Sequence, residues 1–256
     1  MRIVRYRDEH GAAWGAVRGQ EVYALEGAPF GEALPGIGAR VGPLGSLSLL
    51  APATPSKVIC VGRNYAAHAA ELGNEPPDEP LFFFKPPSSL IGPGATIELP
   101  AMSERVDHEG ELALVIGRRA RHLRSEDAMS VVFGYTCAND VTARDIQRRE
   151  KQWARAKGFD TFCPVGPWIV TADEFDPASV RVQVRVDGDL RQDGRTDLLI
   201  FDLPRLLTEL SAVMTLEPGD LLLTGTPAGV GPLADGQQVE VSIEGIGTLR
   251  NPVAAP

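Results

Sequence analysis

The segment Asp107-His108-Glu109-Gly110-Glu111-Leu112-Ala113-Leu114-Val115-Ile116-Gly117 joins three carboxylates to an unbroken apolar run. A run without polar alternation is typical of a strand that is covered on both faces. Side chains two positions apart in a strand point to the same side. Asp107, Glu109 and Glu111 are therefore predicted to share one face of a single continuous strand.

Three carboxylates in a row repel one another, and burying a carboxylate without a partner costs free energy. One explanation is a solvated face, on which water screens the charges. The other is a hard divalent cation such as Mg²⁺, which accepts carboxylate oxygens and keeps positions open for water or substrate. The residues of this segment leave both explanations open.

The composition of the chain narrows the classes of partner. Its 256 residues, 43% hydrophobic and 23% charged, are typical of a soluble globular protein with one large domain, or with a main domain and a small appendage. A net charge of -9 without a dense Lys/Arg cluster argues against nucleic acids and anionic membranes, and favours a small-molecule ligand. The first residues lack a signal-peptide pattern, and we expect a cytoplasmic protein. Cys60, Cys137 and Cys163 are predicted to be buried free thiols.

Short β-type runs separated by glycine-rich turns predict a small β domain over residues 1–50, with a connector over Gly31 to Ser48. The prolines of 51–55 mark the start of the main domain, residues 51–256. Within it, Lys57 to Gly62 is predicted to be a buried strand and Leu203 to Met214 a helix.

Two further parts of the chain carry candidate site residues. Asn64 is predicted to cap a short helix over Tyr65 to Leu72, which places His68 and Glu71 on one face. This pair fits either a surface ion pair or a general base oriented by a carboxylate. Asp140 follows a buried strand, where it is either part of a helix N-terminus or a site residue. Lys85 ends another strand and is expected to be solvated.

Seven ordered motifs resemble those of the fumarylacetoacetate hydrolase family, in the branch of bacterial 2-hydroxyhepta-2,4-diene-1,7-dioate isomerases and acylpyruvate hydrolases. They are Val61-Gly62-Arg63-Asn64-Tyr65 with His68 and Glu71, Phe84-Lys85-Pro86 with Ser88-Ser89, Glu109-x-Glu111, Asn139 to Gln147, Lys157-Gly158-Phe159-Asp160, Pro218-Gly219-Asp220, and Gly225 to Gly231. The resemblance implies a mixed, β-rich α+β fold with a rolled sheet, and residues 1–50 resemble a small N-terminal β domain of some bacterial members.

The resemblance also implies a site. Glu109, Glu111 and Asp140 would hold Mg²⁺ or Mn²⁺, which leaves Asp107 either behind the metal ligands or exposed. His68 and Glu71 would lie on a short lid and activate water, and Lys157 would stabilise negative charge on the substrate. Substrate contacts would come from five further residues: Arg63, Tyr65, Arg144, Gln147 and Thr226. A homodimer is implied as well.

The function implied is that of a metal-dependent enzyme acting on 2-oxo acids or 2-hydroxydienoic acids through a metal-stabilised enolate. The His68/Glu71 pair favours hydrolysis of a C–C bond. The alternatives are 2-hydroxyhepta-2,4-diene-1,7-dioate isomerase, 2-oxo acid decarboxylase, and a catalytically silent metal- or ligand-binding protein on the same scaffold.

Overall fold

The computed structural model of the protein describes residues 1–31 and 33–255, which form many short strands and few helices. The helices are α1 (Ala66–Glu71), α2 (Arg144–Arg149), α3 (Ala154–Lys157) and α4 (Leu203–Val213). The first ten strands are β1 (Arg2–Asp8), β2 (Gly11–Arg18), β3 (Glu21–Leu25), β4 (Ile37–Pro43), β5 (Ser48–Leu50), β6 (Val58–Gly62), β7 (Leu81–Lys85), β8 (Leu90–Ile91), β9 (Ile97–Glu98) and β10 (Val106–His108). The others are β11 (Gly110–Ile116), β12 (Val132–Asn139), β13 (Thr142–Ala143), β14 (Cys163–Thr171), β15 (Arg181–Val186), β16 (Asp189–Arg195), β17 (Leu221–Leu223), β18 (Gly231–Pro232), β19 (Gln238–Ile243) and β20 (Gly247–Ala254).

The strands form three sheets, and the largest runs through the centre of the molecule. Its order is β4-β3-β2-β1-β14-β12-β11-β17-β6-β7, with β5 beside β1 and β8 beside β14. A second sheet has the order β16-β15-β19-β20-β9, and a third the order β13-β10-β18. Parallel and antiparallel pairs occur together, since β17 runs parallel to β6 and antiparallel to β11. The predicted mixed, β-rich fold is confirmed.

Strand β11 lies between β12 and β17, and all of its residues are buried. Leu112, Leu114 and Ile116 pack into the larger core on one side of the sheet. Ala113 and Val115 pack into a second core on the other side. The apolar run is therefore covered on both faces, as predicted, and the solvated face is excluded as an explanation for the carboxylates.

The continuous strand predicted from Asp107 is wrong, because the chain changes sheet at Glu109. Before the break, β10 pairs with β13 and β18, whereas β11 pairs with β12 and β17. The backbone N–H of Glu109 donates to Asn139 Oδ1 at 2.9 Å. At Gly110 an added Cβ would overlap the Val184 side chain. A side-chain acceptor and a close approach to β15 thus produce a break that the alternation of residues did not indicate.

Strands from residues 1–50 join the main sheet, because β1 pairs with β14 through Arg2↔Val170 and Ile3↔Ile169. The connector predicted over Gly31 to Ser48, in which Glu32 lies outside the described residues, is wrong for its second half. Residues Ile37–Pro43 form β4 and pair with β3, and Arg40 forms an ion pair with Glu21 at 2.8 Å. Pairing with β3 satisfies backbone groups that a free connector would leave to water.

The predicted cap of α1 is also wrong, because Asn64 serves a different purpose. Its buried amide donates to the carbonyl oxygens of Phe201 and Thr224 and accepts from Phe201 N–H. The side chain thereby ties three segments together, and α1 begins at Ala66 without a side-chain cap.

The helix predicted over Leu203 to Met214 is confirmed as α4, which Asp202 caps by accepting from Arg205 N–H at 2.9 Å. Among the residues that the structure describes, no helix has the length and apolar character needed to cross a membrane. The three cysteines are buried and free, as predicted.

Candidate active site and metal centre

Three carboxylates converge where β11 begins and β12 ends. Glu109 lies at the break before β11, Glu111 is the second residue of β11, and Asp140 directly follows β12. Pairing of Gly110 with Asn139, together with a 2.8 Å hydrogen bond from Asp140 N–H to the Glu109 carbonyl oxygen, holds these positions together. One oxygen from each carboxylate lies within 4.8 Å of the others. All three residues are at most 4% exposed.

Buried cations surround this cluster. Lys157 Nζ donates to Glu109 Oε2 at 2.7 Å and to Asp140 Oδ2 at 2.6 Å. Lys85 Nζ donates to Asp140 Oδ1 at 2.6 Å, and the Arg144 guanidinium donates to Glu109. The solvated position expected for Lys85 is wrong, since its side chain is 1% exposed. A buried group of acids needs nearby positive charge, and this need was the sequence signal that could have identified Lys85.

The pKa values of Glu109 and Glu111 are shifted in opposite directions. Burial opposes the charged form of Glu109, but Lys157 and Arg144 outweigh it and lower the pKa of this group. Burial, Asp140 and Glu109 raise the pKa of Glu111 well above its ordinary value. Its Oε2 accepts from Gly225 N–H at 2.7 Å. The three buried cations donate to Glu109 and Asp140, and Glu111 is therefore the acid whose charged form its surroundings stabilise least.

The three acids fit a divalent cation by the chemistry of their donors. They offer only carboxylate oxygens, which Mg²⁺ and Mn²⁺ prefer. A cation would also relieve the mutual repulsion that raises the pKa of Glu111. Glu109, Glu111 and Asp140 could therefore hold a metal ion, as the resemblance implies.

Asp107 lies behind these acids and is fully buried. It accepts from Arg105 Nε at 2.8 Å and from Arg144 Nε at 2.9 Å. Arg144 also donates to Gln147 Oε1 at 2.6 Å and to Glu109. The guanidinium predicted to contact substrate is thus already engaged by three acceptors of the protein.

Above the acids lies a cavity of about 950 Å³, open to solvent at one side. His68, Glu71 and Lys157 line it together with the three acids. Among the predicted substrate-binding residues, Arg63, Arg144, Gln147 and Thr226 also line it, whereas the buried Tyr65 does not. The outer wall consists of Leu81 to Phe84 on β7 and of residues 147, 148 and 150–154, with Trp153 packed edge-on against Phe83.

The His68/Glu71 pair lines this cavity, and the His68 side chain is 7% exposed. Its Nδ1 lies 3.5 Å from Glu71 Oε2 and is buried without a hydrogen-bond partner among the described residues. Both oxygens of Glu71 instead accept from Gly229 N–H, at 3.0 and 3.1 Å. Burial lowers the pKa of His68 from its ordinary value. The imidazole is therefore neutral near pH 7 and able to accept a proton.

The family model described as "Fumarylacetoacetate (FAA) hydrolase C-terminal" matches residues 57–254. The chain belongs to the fumarylacetoacetate hydrolase family. Residues 1–52 match a second model, described as "Rv2993c-like, N-terminal". The boundary between residues 50 and 51 stays a prediction, since the main sheet continues across it.

Curated relatives extend the family match over the chain. "Protein Rv2993c" of Mycobacterium tuberculosis is 51% identical over 99% of this chain and 98% of its own length. "Oxaloacetate tautomerase fahd2, mitochondrial" of Xenopus laevis is 45% identical over 81% of this chain and 69% of its own length. "Oxaloacetate decarboxylase, mitochondrial" of Dictyostelium discoideum is 47% identical over 76% of this chain and 92% of its own length.

Solved structures confirm the family fold. A 5-carboxymethyl-2-hydroxymuconate delta-isomerase from Mycobacterium smegmatis has 48% identity and a TM-score of 0.92, with all of both chains covered. A fumarylpyruvate hydrolase from Pseudomonas aeruginosa, solved with Mn²⁺ and pyruvate, has 34% identity and a TM-score of 0.76, covering 79% of this chain and 91% of its own. Members of the fumarylacetoacetate hydrolase family are thus named for isomerase, tautomerase, decarboxylase and hydrolase activities.

Proposed function

We propose that this protein is a divalent-metal-dependent enzyme that acts on 2-oxo acids or 2-hydroxydienoic acids, with hydrolysis of a C–C bond as its favoured reaction. The observation that carries the proposal is the buried cluster of Glu109, Glu111 and Asp140 at the floor of a cavity that also holds His68 and Lys157. Carboxylates, a lysine and a neutral histidine in one cavity supply the groups that enolate chemistry needs.

In this proposal Glu109, Glu111 and Asp140 hold Mg²⁺ or Mn²⁺. The bound ion would supply Lewis acidity toward the carboxylate and 2-oxo oxygens of the substrate. Lys157, whose pKa Asp140 and Glu109 raise despite its burial, stays charged and stabilises the negative charge that develops on the substrate. Arg63 and Gln147 lie along the cavity wall, where their donors can orient the rest of the substrate.

His68 would take a proton from water, and Glu71 would orient the imidazole through Nδ1. Rotation of the Glu71 carboxylate across the 3.5 Å gap completes this contact. The hydroxide formed in this way attacks the distal carbonyl carbon, the C–C bond breaks, and its electrons enter the enolate. The proton held by His68 then moves to the enolate carbon, which gives the 2-oxo acid and a carboxylic acid.

A second candidate is enolate chemistry without attack by water, as in a 2-oxo acid tautomerase or decarboxylase or a 2-hydroxyhepta-2,4-diene-1,7-dioate isomerase. The engagement of Glu71 by Gly229 N–H favours it, because His68 and Glu71 are not hydrogen-bonded to each other. Three of the relatives described above are named for isomerase, tautomerase or decarboxylase activity, and one is named a hydrolase. A catalytically silent binding protein is the third candidate.

We also propose a cytoplasmic homodimer with a role in aromatic catabolism.

The first experiment follows the enol absorbance of an acylpyruvate incubated with the purified protein and Mg²⁺, or with excess chelator. Metal-dependent release of pyruvate and a carboxylic acid supports hydrolysis. If the acylpyruvate is stable, oxaloacetate and the seven-carbon dienedioate are tested next for tautomerisation, decarboxylation and isomerisation. Metal binding that Glu109→Gln abolishes, without turnover of any of these compounds by wild type, would support the silent binding protein.

A further inference from the structure

Gln192 reaches the site from a different sheet. It lies on β16, and its side chain is fully buried. Its Oε1 accepts from Gly110 N–H at 3.0 Å and lies 3.1 Å from His108 Nδ1. Its Nε2 donates to Thr226 Oγ1 at 2.7 Å and to the Pro227 carbonyl oxygen at 2.6 Å. One amide thus uses its oxygen and its nitrogen on two different segments.

The orientation of this amide is fixed by its partners. Gly110 N–H can only donate, and the Pro227 carbonyl can only accept. Exchanging the amide oxygen and nitrogen would therefore break both contacts. The same logic places a hydrogen on His108 Nδ1, which faces the amide oxygen.

Thr226 is oriented through this amide. Its hydroxyl donates to the Gly110 carbonyl oxygen at 2.8 Å and accepts from Gln192 Nε2. Because Thr226 lines the cavity, the position of its backbone and side chain affects any ligand there. Gly110, which lies between the two acids Glu109 and Glu111, donates its N–H to Gln192 and accepts at its carbonyl oxygen from Thr226.

The backbone of β16 packs against the same loop. An added Cβ at Gly194 would overlap the Pro227 ring, and one at Gly229 would overlap the Arg191 carbonyl oxygen. Strand β16 is therefore in close contact with this loop on both sides of Gln192.

We infer that Gln192 is a positioning residue of the proposed site, with its amide oxygen fixing the backbone between two acids of the metal centre and its amide nitrogen fixing Thr226 against the substrate. The inference rests on the proposed function, because it concerns the same cavity. Loss of the amide should therefore weaken metal binding through the lost contact with Gly110, and ligand binding through the lost contact with Thr226.

The test compares Gln192→Met, Thr226→Val and the double variant, with Gln238→Met at an exposed position of β19 as the matched control. The dissociation constants of Mn²⁺, and of pyruvate at saturating Mn²⁺, are measured by calorimetry well below each melting temperature. We expect Gln192→Met to weaken Mn²⁺ binding about tenfold, as is typical for partners behind metal ligands. Pyruvate binding should weaken about fivefold in Gln192→Met and in Thr226→Val, the effect of one lost hydrogen bond.

The double variant shows whether Gln192 acts through Thr226. Its pyruvate affinity should equal that of Thr226→Val alone, and its Mn²⁺ affinity that of Gln192→Met alone. Fully additive losses of pyruvate affinity would overturn the route through Thr226. A lower melting temperature for Gln192→Met with wild-type affinity for both ligands would mean that Gln192 is merely structural.

Failure of the proposed function gives a different pattern. Wild type that binds Mn²⁺ but not pyruvate argues against a 2-oxo acid site, while the Mn²⁺ measurement still tests Gln192. If wild type binds neither, hydrogen exchange decides. Gln192→Met should then speed exchange of the Gly110 amide, and unchanged exchange would overturn the positioning role.

Discussion

Glu111 has the least compensated charge in the site. Lys157 and Arg144 each donate to Glu109, and Lys157 and Lys85 to Asp140. The Glu111 carboxylate instead accepts a hydrogen bond from a neutral backbone amide, Gly225 N–H. Proton uptake or a bound cation are the two ways to neutralise such a carboxylate, and they compete with each other.

Metal-free wild type should therefore lose stability through Glu111 as the pH rises above 4.5, the ordinary pKa of this side chain. Above that pH the unfolded chain releases the proton while the folded protein keeps it, so the free energy of unfolding falls by about 1.4 kcal/mol per pH unit from this group. Glu111→Gln removes this dependence. Urea unfolding in chelator from about pH 5 to about pH 8 should give the variant a flatter profile than wild type.

Comparing the pH profiles of wild type and Glu111→Gln cancels the contributions of groups that both proteins share. One of these is His68, whose lowered pKa makes the free energy of unfolding rise with pH. Glu98→Gln at an exposed position serves as the control and should follow wild type. Parallel profiles for wild type and Glu111→Gln would contradict the prediction. Added Mn²⁺ should stabilise wild type far more than Glu111→Gln.

His68→Ala should lower kcat by about 10²- to 10⁴-fold for a hydrolytic reaction, since it removes the proposed general base. Mn²⁺ affinity should stay within about twofold of wild type, because His68 is outside the group of proposed ligands. Because burial lowers the pKa of His68, the acid limb of kcat/KM should lie below pH 6.5. Full turnover in His68→Ala, with His10→Ala as an exposed control, would exclude the role and favour chemistry without attack by water.

Helix α1 is joined to the loop 225–231 through the contact of Glu71 with Gly229 N–H. The same loop brings Gly225 N–H to Glu111 and places Thr226 in the cavity. Its backbone therefore serves both the proposed metal centre and the helix that covers it. Gly229 has a φ of 100° and faces the Arg191 carbonyl oxygen, so this position requires glycine.

We expect Gly229→Ala to lower the free energy of unfolding by about 2 kcal/mol, because a residue with a Cβ is strained at this φ. Gly231→Ala is the matched control in the same loop, since its added Cβ would meet His108 Nε2 at an ordinary 3.6 Å. It should change stability by less than about 0.5 kcal/mol. Equal effects of the two substitutions in thermal or urea unfolding would refute this account of the loop.

The sequence predicted the elements more reliably than the links between them. Burial of β11 on both faces and the extent of helix α4 follow from local patterns, which tertiary packing left intact. Asn64 was expected to cap a helix, but its amide holds Phe201 and Thr224, which lie far along the chain. Gln192 was missed for the same reason, because one more polar residue in a strand as polar as β16 gives no local signal of its four distant partners.

At the scale of the whole molecule, one sheet passes from the N-terminal strands to the strands that carry the acids. Ile3 packs into the core that contains Ala113 and Val115 of β11. Val4, its neighbour, packs instead into a small core of the N-terminal strands. Substitution of Ile3 therefore tests the core shared with β11, and substitution of Val4 tests the small core of the N-terminal strands.

Ile3→Ala and Val4→Ala should both shift one cooperative thermal transition, the first by removing about 2–5 kcal/mol of stability and the second by less. The test combines calorimetry with the fluorescence of two single-tryptophan variants, one that keeps Trp14 and one that keeps Trp153. Two transitions, with Val4→Ala shifting only the one that Trp14 reports, would show that residues 1–50 unfold independently.

The acids of the site and the walls of its cavity come from different parts of the sheet. Glu111 lies on the central strand β11, Glu109 directly precedes β11 and Asp140 directly follows β12, whereas the outer wall includes β7 at the sheet edge. Four of the five residues of β7 are half-buried or exposed, whereas every residue of β11 is buried, so substitutions at the edge should disturb fewer buried contacts than substitutions at the centre. Over evolutionary time, gene duplicates would inherit the same acids and diverge mainly in their walls, which suits a lineage whose members bear the names of several different reactions.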